Sequence, residues 1–199
     1  MIGILAILIG YLLGAVPMGF LLVKLKTGKD IRASGSGNIG ATNVQRTSGN
    51  ALGAATLVFD IGKGFLAAWL AGWLTNDSPG WTSAAALAVI GGHAYPVFLG
   101  FKGGKAVASF IGAFLYLTPV PLLASLVVFV AVVAGTRYIS AGSIIAAGTF
   151  PLGVWLILHP AAPILLASIL AGGFIVYRHK ANLERIRAGT EYTFRWKRS

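Results

Sequence analysis

The chain has 199 residues, 56% of them hydrophobic and only 11% charged, with 16 Lys and Arg against 5 Asp and Glu. Soluble domains carry about 25% charged residues, so an ordinary water-soluble globular domain is excluded and lipid is the main solvent. The chain lacks cysteine, which removes disulfides, thiolate nucleophiles and cysteine metal sites, and its net charge of +11 reads as membrane topology before nucleic acid.

A helix crossing ~30 Å of hydrocarbon needs about 20 apolar residues. Residues 1–23 supply the first such run. No basic region precedes it, so it reads as a retained span and not a cleaved signal. Residues 51–74 form the second run, interrupted by Asp60 and Lys63. Residues 82–99 form the third. Residues 106–117 are a short fourth, followed by "TPVP" and a short fifth at 122–135. Residues 143–158 and 161–177 complete the set. The expectation is an all-α integral membrane protein, a compact bundle of seven helices in a single domain over 1–199. The fourth and fifth helices are short enough to form a re-entrant pair, which would leave five full spans.

Charge assigns the faces. Lys24, Lys26, Lys29, Arg32 and Arg46 lie in the first inner loop, Lys102 and Lys105 in the second, and Arg137 in the third. Arg178, Lys180, Arg185, Arg187, Arg195, Lys197 and Arg198 lie in the tail, so fifteen of the 16 basic residues fall on one side. The intervening loops "TNDSPG", "TPVP" and "HPAAP" have none. The positive-inside rule then gives an outer N-terminus and a cytoplasmic C-terminus.

The first inner loop reads "ASGSGNIGATN", with Gly35, Gly37 and Gly40 at the spacing of a dinucleotide-binding loop. A dinucleotide fold needs a strand before the loop and a βαβ unit around it. Here membrane spans flank it, so that reading fails. The local physics remains. Glycines allow close backbone approach, and N–H groups at a helix start attract anions. Ser36, Asn38, Thr42 and Asn43 add neutral donors, and Arg46 adds a forked cation suited to phosphate. A flexible turn between two helices is the alternative for this loop taken alone.

The second inner loop, "GHAYPVFLGFKGGKAVAS", places Lys102 and Lys105 around Gly103-Gly104 at a helix start. It is not a P-loop: three residues, not four, separate Gly100 from Gly104, and Ala106 stands where a Ser or Thr would hold Mg²⁺. Backbone N–H groups, the positive helix end and mobile ammonium groups nevertheless suit a phosphate. Snorkelling lysines at a membrane boundary are the alternative. His93 reads as a buried neutral histidine. In the third loop Ser143 reads as the N-cap of the sixth helix.

The tail begins "YRHKANLERIRAGTEY". His179 and Asn182, at i and i+3, share a helix face. His179 and Glu184, five apart, cannot meet on a continuous helix, because their directions differ by about 140°. The acids there have Arg178, Arg185 and Arg187 for partners. Asp60 and Lys63 form an intramembrane ionisable pair that should neutralise itself inside the bundle. The three histidines are far apart in sequence and the acids are few, so no metal site is expected.

Three segments, "GSGNIGATNVQR", "GHAYPVFLGFKGGKAVAS" and "RHKANLERIRAGTE", closely resemble the three signature motifs of the bacterial acyl-phosphate:glycerol-3-phosphate acyltransferases, the PlsY family. Two departures are mild: Gln45 stands where an apolar residue is commoner, and Ala106 where the family often has Gly. The resemblance implies transfer of an acyl chain from acyl phosphate to the 1-hydroxyl of sn-glycerol 3-phosphate, giving lysophosphatidic acid and phosphate. It implies no cofactor, metal or nucleic acid, and a monomer working in the bacterial cytoplasmic (inner) membrane with its active site facing the cytoplasm. By carry-over Ser36, Arg46 and Lys105 hold phosphate, with Gly37, Gly103 and Gly104 giving backbone access. His179 and Asn182 touch the reacting groups, Ser143 joins them, and Glu184 orients neighbours. His179 and a substrate phosphate both stand as general base. A transporter is the rival class, but it should show repeat halves and a polar site near the midplane. A scaffold binding anionic lipid through the tail leaves the glycine motifs unexplained.

Overall fold

The computed structural model describes residues 1–194, and their regular structure is helical throughout. Arg195, Lys197 and Arg198, assigned above to the cytoplasmic tail, lie outside the described residues. The chain divides into two compact units, the first Met1–Leu117 and the second from Thr118 onward.

The first unit contains α1 (Ile2–Ala15), α2 (Met18–Thr27), α3 (Ala41–Ser48), α4 (Asn50–Thr75), α5 (Pro79–Ala94) and α6 (Val107–Leu117). The first expected span is broken. Pro17 has no N–H and disfavours helical geometry in the residue before it, so Val16 turns extended, with φ −64° and ψ 113°. The chain restarts as α2 and stops at Gly28, whose φ of 72° is the left-handed cap that glycine adopts without strain. Ile2–Thr27 as a whole remains long and apolar enough to cross a membrane, as do Asn50–Thr75 and Pro79–Leu99.

Helices surrounded by lipid gain little from hydrophobic association, so they gain from close backbone packing through small residues. A Cβ on Gly10 or Gly14 of α1 would lie 2.9 or 2.2 Å from the carbonyl oxygens of Ala85 and Val89 in α5. A Cβ on Gly92 of α5 would lie 2.2 Å from the Tyr11 carbonyl oxygen. The α4–α6 contact repeats the device, with Gly64 against the Ser109 carbonyl and Gly112 against that of Ile61.

The expected charged pair forms inside this unit. Lys63 Nζ stands 2.8 Å from Asp60 Oδ1, with both side chains buried. The contact is ionic in character, since Oδ1 meets no donor at hydrogen-bond angles. The same ammonium donates to the Val16 carbonyl at 2.9 Å. Lys63 therefore also ties α4 to the break that Pro17 makes.

The second unit contains α7 (Pro119–Thr136), α8 (Ile139–Leu158), α9 (Ala162–Arg178) and α10 (Lys180–Arg187). The fifth expected helix is longer than its sequence suggested. It starts at Pro119 and runs 18 residues, enough to cross. Proline is harmless in the first turn, where its N–H has no intrahelical partner, so "TPVP" opens a helix where it seemed to separate two. Of the fourth and fifth expected helices only α6, with 11 residues, is short. The expected pairing of two short helices is corrected accordingly. α8 contains Pro151, which leaves the Ala147 carbonyl without its i+4 donor. Gly172 of α9 closes on that carbonyl, where a Cβ would lie 2.4 Å from the oxygen. α9 and α10 form a pair bent by 51°.

Removing Lys63 alone leaves Asp60 buried and unpaired, which costs about 3–5 kcal/mol. Thermal unfolding in detergent should therefore show Lys63→Met well below wild type, and Asp60→Asn/Lys63→Met above Lys63→Met alone. A double variant less stable than the single one would show that neutralisation is not the role of the pair.

Candidate functional site

The first inner loop is organised by Asn43. Its buried carboxamide donates from Nδ2 to the carbonyls of Ser34 and Asn38, at 3.0 and 2.8 Å, and its Oδ1 accepts from the Ser36 N–H at 2.9 Å. Asn38 Oδ1 accepts from the Gly40 N–H at 2.8 Å, an Asx turn that leads into α3. Gly35 has φ 59° and its α-carbon sits against Asn43; a Cβ would meet Asn43 Oδ1 at 2.3 Å. Asn43 thus holds loop backbone with its carboxamide, which corrects the expectation that it is a donor for a ligand, and Asn38 braces the loop through its Oδ1. Ser36 and Arg46 are exposed, and Thr42 is half-buried in the first turn of α3. Gly37 takes φ 71° and donates to the Ser34 carbonyl at 3.0 Å.

The second loop folds back on the end of α5. The Gly103 N–H donates to the Ala94 carbonyl at 3.2 Å and the Gly104 N–H to the His93 carbonyl at 3.1 Å. These amides were expected to offer backbone access to phosphate, but α5 takes them. Close approach explains why both positions are glycine. A Cβ on Gly103 would meet the His93 carbonyl oxygen at 2.3 Å, and one on Gly104 would meet His93 Nε2 at 2.3 Å. The turn delivers a half-buried Lys105 just ahead of α6. Ala106 follows, buried and with φ 62°. A left-handed φ costs a non-glycine residue about 1–2 kcal/mol, which accounts for the glycine that the resemblance expects there.

In the second unit His179 and Asn182 are both buried. They do not share one continuous helix as expected: His179 is the joint at which α9 ends and α10 begins. His179 Nδ1 lies 2.8 Å from the Ile175 carbonyl. A carbonyl can only accept, so Nδ1 is the donor of this contact. Asn182 Nδ2 donates to Glu191 Oε1 at 2.7 Å. The same Oε1 accepts from Ser140 Oγ at 2.8 Å, and Oε2 pairs with Arg185 Nε at 2.7 Å. Burial pushes the Glu191 carboxyl up, but the hydrogen bonds from Asn182, Ser140 and Arg185 outweigh it and hold the group below its ordinary 4.5.

Two expectations change here. Glu184, expected to orient its neighbours, is exposed, and among the described residues its carboxylate makes no hydrogen bond or ion pair. Glu191 does that work instead. Ser143 is not an N-cap. α8 begins at Ile139, and Ser143 Oγ donates back to the Ile139 carbonyl at 3.0 Å. Glu191 and Ser140 were not singled out from the sequence as site residues. The available signal was the tail motif itself, where Glu191 lies six residues from Arg185. Among the described residues no three His, Asp or Glu stand close enough to hold a metal ion.

The class these observations define is a multi-pass α-helical membrane protein whose cationic, glycine-bearing loops suit a small anion. The glycerol-3-phosphate acyltransferase family model matches residues 4–189. The chain belongs to that family, a family of membrane enzymes. It is 45% identical over 188 residues to the glycerol-3-phosphate acyltransferase of Geobacter sulfurreducens, covering 94% of this chain and 95% of that one. It is 46% identical to the Trichlorobacter lovleyi protein of the same name, covering 93% and 94%. Its fold matches the crystal structure of PlsY (YgiH), an integral membrane glycerol 3-phosphate acyltransferase, in the glycerol 3-phosphate form. The TM-score is 0.91 at 37% identity, with 97% of this chain and 96% of that chain covered. The lysophosphatidic acid form of PlsY matches with a TM-score of 0.87 at 35% identity, covering 97% and 95%.

Two predictions follow from the geometry. A carboxyl held below its ordinary value stabilises the fold above that value, and the stability is lost as pH falls through the folded value. Unfolding temperature should therefore fall as pH drops below 4.5, and Glu191→Gln should flatten that decline while costing about 1.5–3 kcal/mol at neutral pH. An unchanged acid limb in Glu191→Gln would remove Glu191 from that role. At position 106, Ala106→Gly should unfold within about 1 kcal/mol of wild type. Ala106→Val should lose more than about 2 kcal/mol, because a β-branched residue is a steric outlier at positive φ. Equal stability of the two variants would refute the strain.

Proposed function

We propose that the chain transfers an acyl group from acyl phosphate to the 1-hydroxyl of sn-glycerol 3-phosphate, releasing lysophosphatidic acid and inorganic phosphate. The observation that carries this reading is the cationic pair of loop residues, Arg46 after the Asn43-tied loop and Lys105 after the glycine turn, in a chain of this family. The solved relatives named for a glycerol 3-phosphate form and a lysophosphatidic acid form support the acceptor and the product.

An acyl phosphate is a mixed anhydride, so its phosphate is already a good leaving group. The enzyme's task is to bring two anions together and aim a hydroxyl at a carbonyl. Ser36, Arg46 and Lys105 offset the repulsion between the phosphates, and positioning removes much of the entropic barrier. His179, whose Nδ1 donates to the Ile175 carbonyl, positions the hydroxyl. The hydroxyl oxygen attacks the acyl carbon, and the carbon–oxygen bond to phosphate breaks with its electron pair. A substrate phosphate, with a second pKa near 6, takes the proton. Asn182, anchored by Glu191, contacts the reacting groups, and Ser143 and Thr42 bind substrate.

The enzyme works as a monomer in the bacterial inner membrane. Residues 1–199 act as one acyltransferase domain of seven apolar helical segments, with the N-terminus outside and the basic loops and tail in the cytoplasm. It uses neither metal nor cofactor, and its acyl chain enters from the bilayer.

The test is phosphate release by purified protein given palmitoyl phosphate, with and without glycerol 3-phosphate. Release should require glycerol 3-phosphate, yield lysophosphatidic acid and vanish in Arg46→Ala. Turnover only with acyl-CoA or acyl carrier protein donors would overturn the donor, and silence with every donor would overturn the reaction.

A further inference from the structure

His93 was read from the sequence as an ordinary buried histidine, and the reaction above gives it no part. Its surroundings are more specific than that. It is 3% exposed, one residue before the end of α5. One edge of the ring faces polar groups: Nδ1 lies 3.1 Å from Ser109 Oγ of α6 and 3.7 Å from Asp60 Oδ1 of α4. Asp60 is in turn held by Lys63, which reaches the Val16 carbonyl at the α1–α2 break. The opposite edge, Nε2, lies where a Cβ on Gly104 would sit, 2.3 Å away. The His93 carbonyl meanwhile accepts the Gly104 N–H. Both the backbone and the ring of one residue thus hold Gly104, the residue immediately before Lys105.

We propose that His93, backed by Asp60, Lys63 and Ser109, is a positioning residue: it sets the Gly103–Gly104 turn and so fixes where the Lys105 ammonium meets substrate phosphate. The inference rests on the phosphate-binding role given to Lys105 above. A carboxylate buried among apolar helices is costly, and here it is directed at a ring that braces a loop. Four helix segments, α4, α5, α6 and the end of α1, converge on that brace. Position 104 is then glycine because an imidazole occupies the space of its side chain, and substrate approach is not the reason. This separates the proposal from a general phosphate cradle, in which any side chain at 104 would obstruct the ligand whatever stands at 93.

The experiment is a double-mutant cycle between positions 93 and 104, read by kcat and KM for glycerol 3-phosphate and by unfolding temperature. His93→Ala should lower kcat/KM about tenfold, mainly through KM, as expected when a phosphate ligand is misplaced by a fraction of an ångström. Gly104→Ala in the wild-type background should lower it further through the clash. In the His93→Ala background Gly104→Ala should cost less than about twofold, because the methyl enters vacated space. His93→Asn should recover part of the loss, since its amide reaches Ser109 and Asp60 from the position of Nδ1. It also vacates the Nε2 edge, so if His93→Ala does not fold, His93→Asn and His93→Asn/Gly104→Ala give the same cycle. A Gly104→Ala penalty of equal size in both backgrounds, or an unchanged KM in His93→Ala, overturns the proposal. The unfolding temperatures report the 93–104 coupling without turnover, so a failure of the proposed reaction in wild type is distinguishable from a failure of this contact.

Discussion

Inside a bilayer every polar group must find its partner within the protein, because no water is there to take it. Asp60 and Lys63 meet that constraint together, 2.8 Å apart on successive turns of α4. Lys63 also donates to the Val16 carbonyl, beside the Met18 N–H, where Pro17 interrupts the first span. The pairing leaves Asp60 turned toward His93. One ion pair thus connects a proline break, a buried imidazole and the glycine turn ahead of Lys105. The organisation of the first unit follows from where that charge is neutralised.

Glycine has two distinct uses in the same unit. Along α1, α5, α4 and α6 it permits backbone to approach backbone, which gives the helices contact energy that lipid does not compete for. In the loops it permits backbone to approach side chains: Gly35 lies against Asn43, and Gly104 against His93. Neither loop glycine is open space awaiting a ligand. Under the proposed function, contact with phosphate falls to the side chains these turns present.

Much of the fold was legible because hydrophobic runs and proline and glycine punctuation act locally. The long second span, the tail motif and the Asp60–Lys63 pair could all be read this way. The misreadings share one cause. Whether Pro119 ends or opens a helix, whether Ser143 caps or back-bonds, and which tail acid holds Asn182 depend on neighbours that sequence spacing does not specify. Glu184 takes the orienting role by resemblance alone, yet it is exposed while the more distant Glu191 folds back onto Asn182. The loops show the same limit. Donors such as Asn38 and Asn43 look identical in sequence whether they serve a ligand or their own backbone. Only the geometry of Ser34, Ser36 and Gly40 around them decides the matter.

The fold-back of Glu191 also bears on how the protein is made. Asn182 is anchored by a carboxylate nine residues further along the chain, beyond the last helix of the described residues. A ribosome must therefore deliver α10 and the stretch past it before Asn182, Ser140 and Arg185 acquire their common partner. A nascent chain that reaches only the end of α10 still lacks the contact that anchors its asparagine.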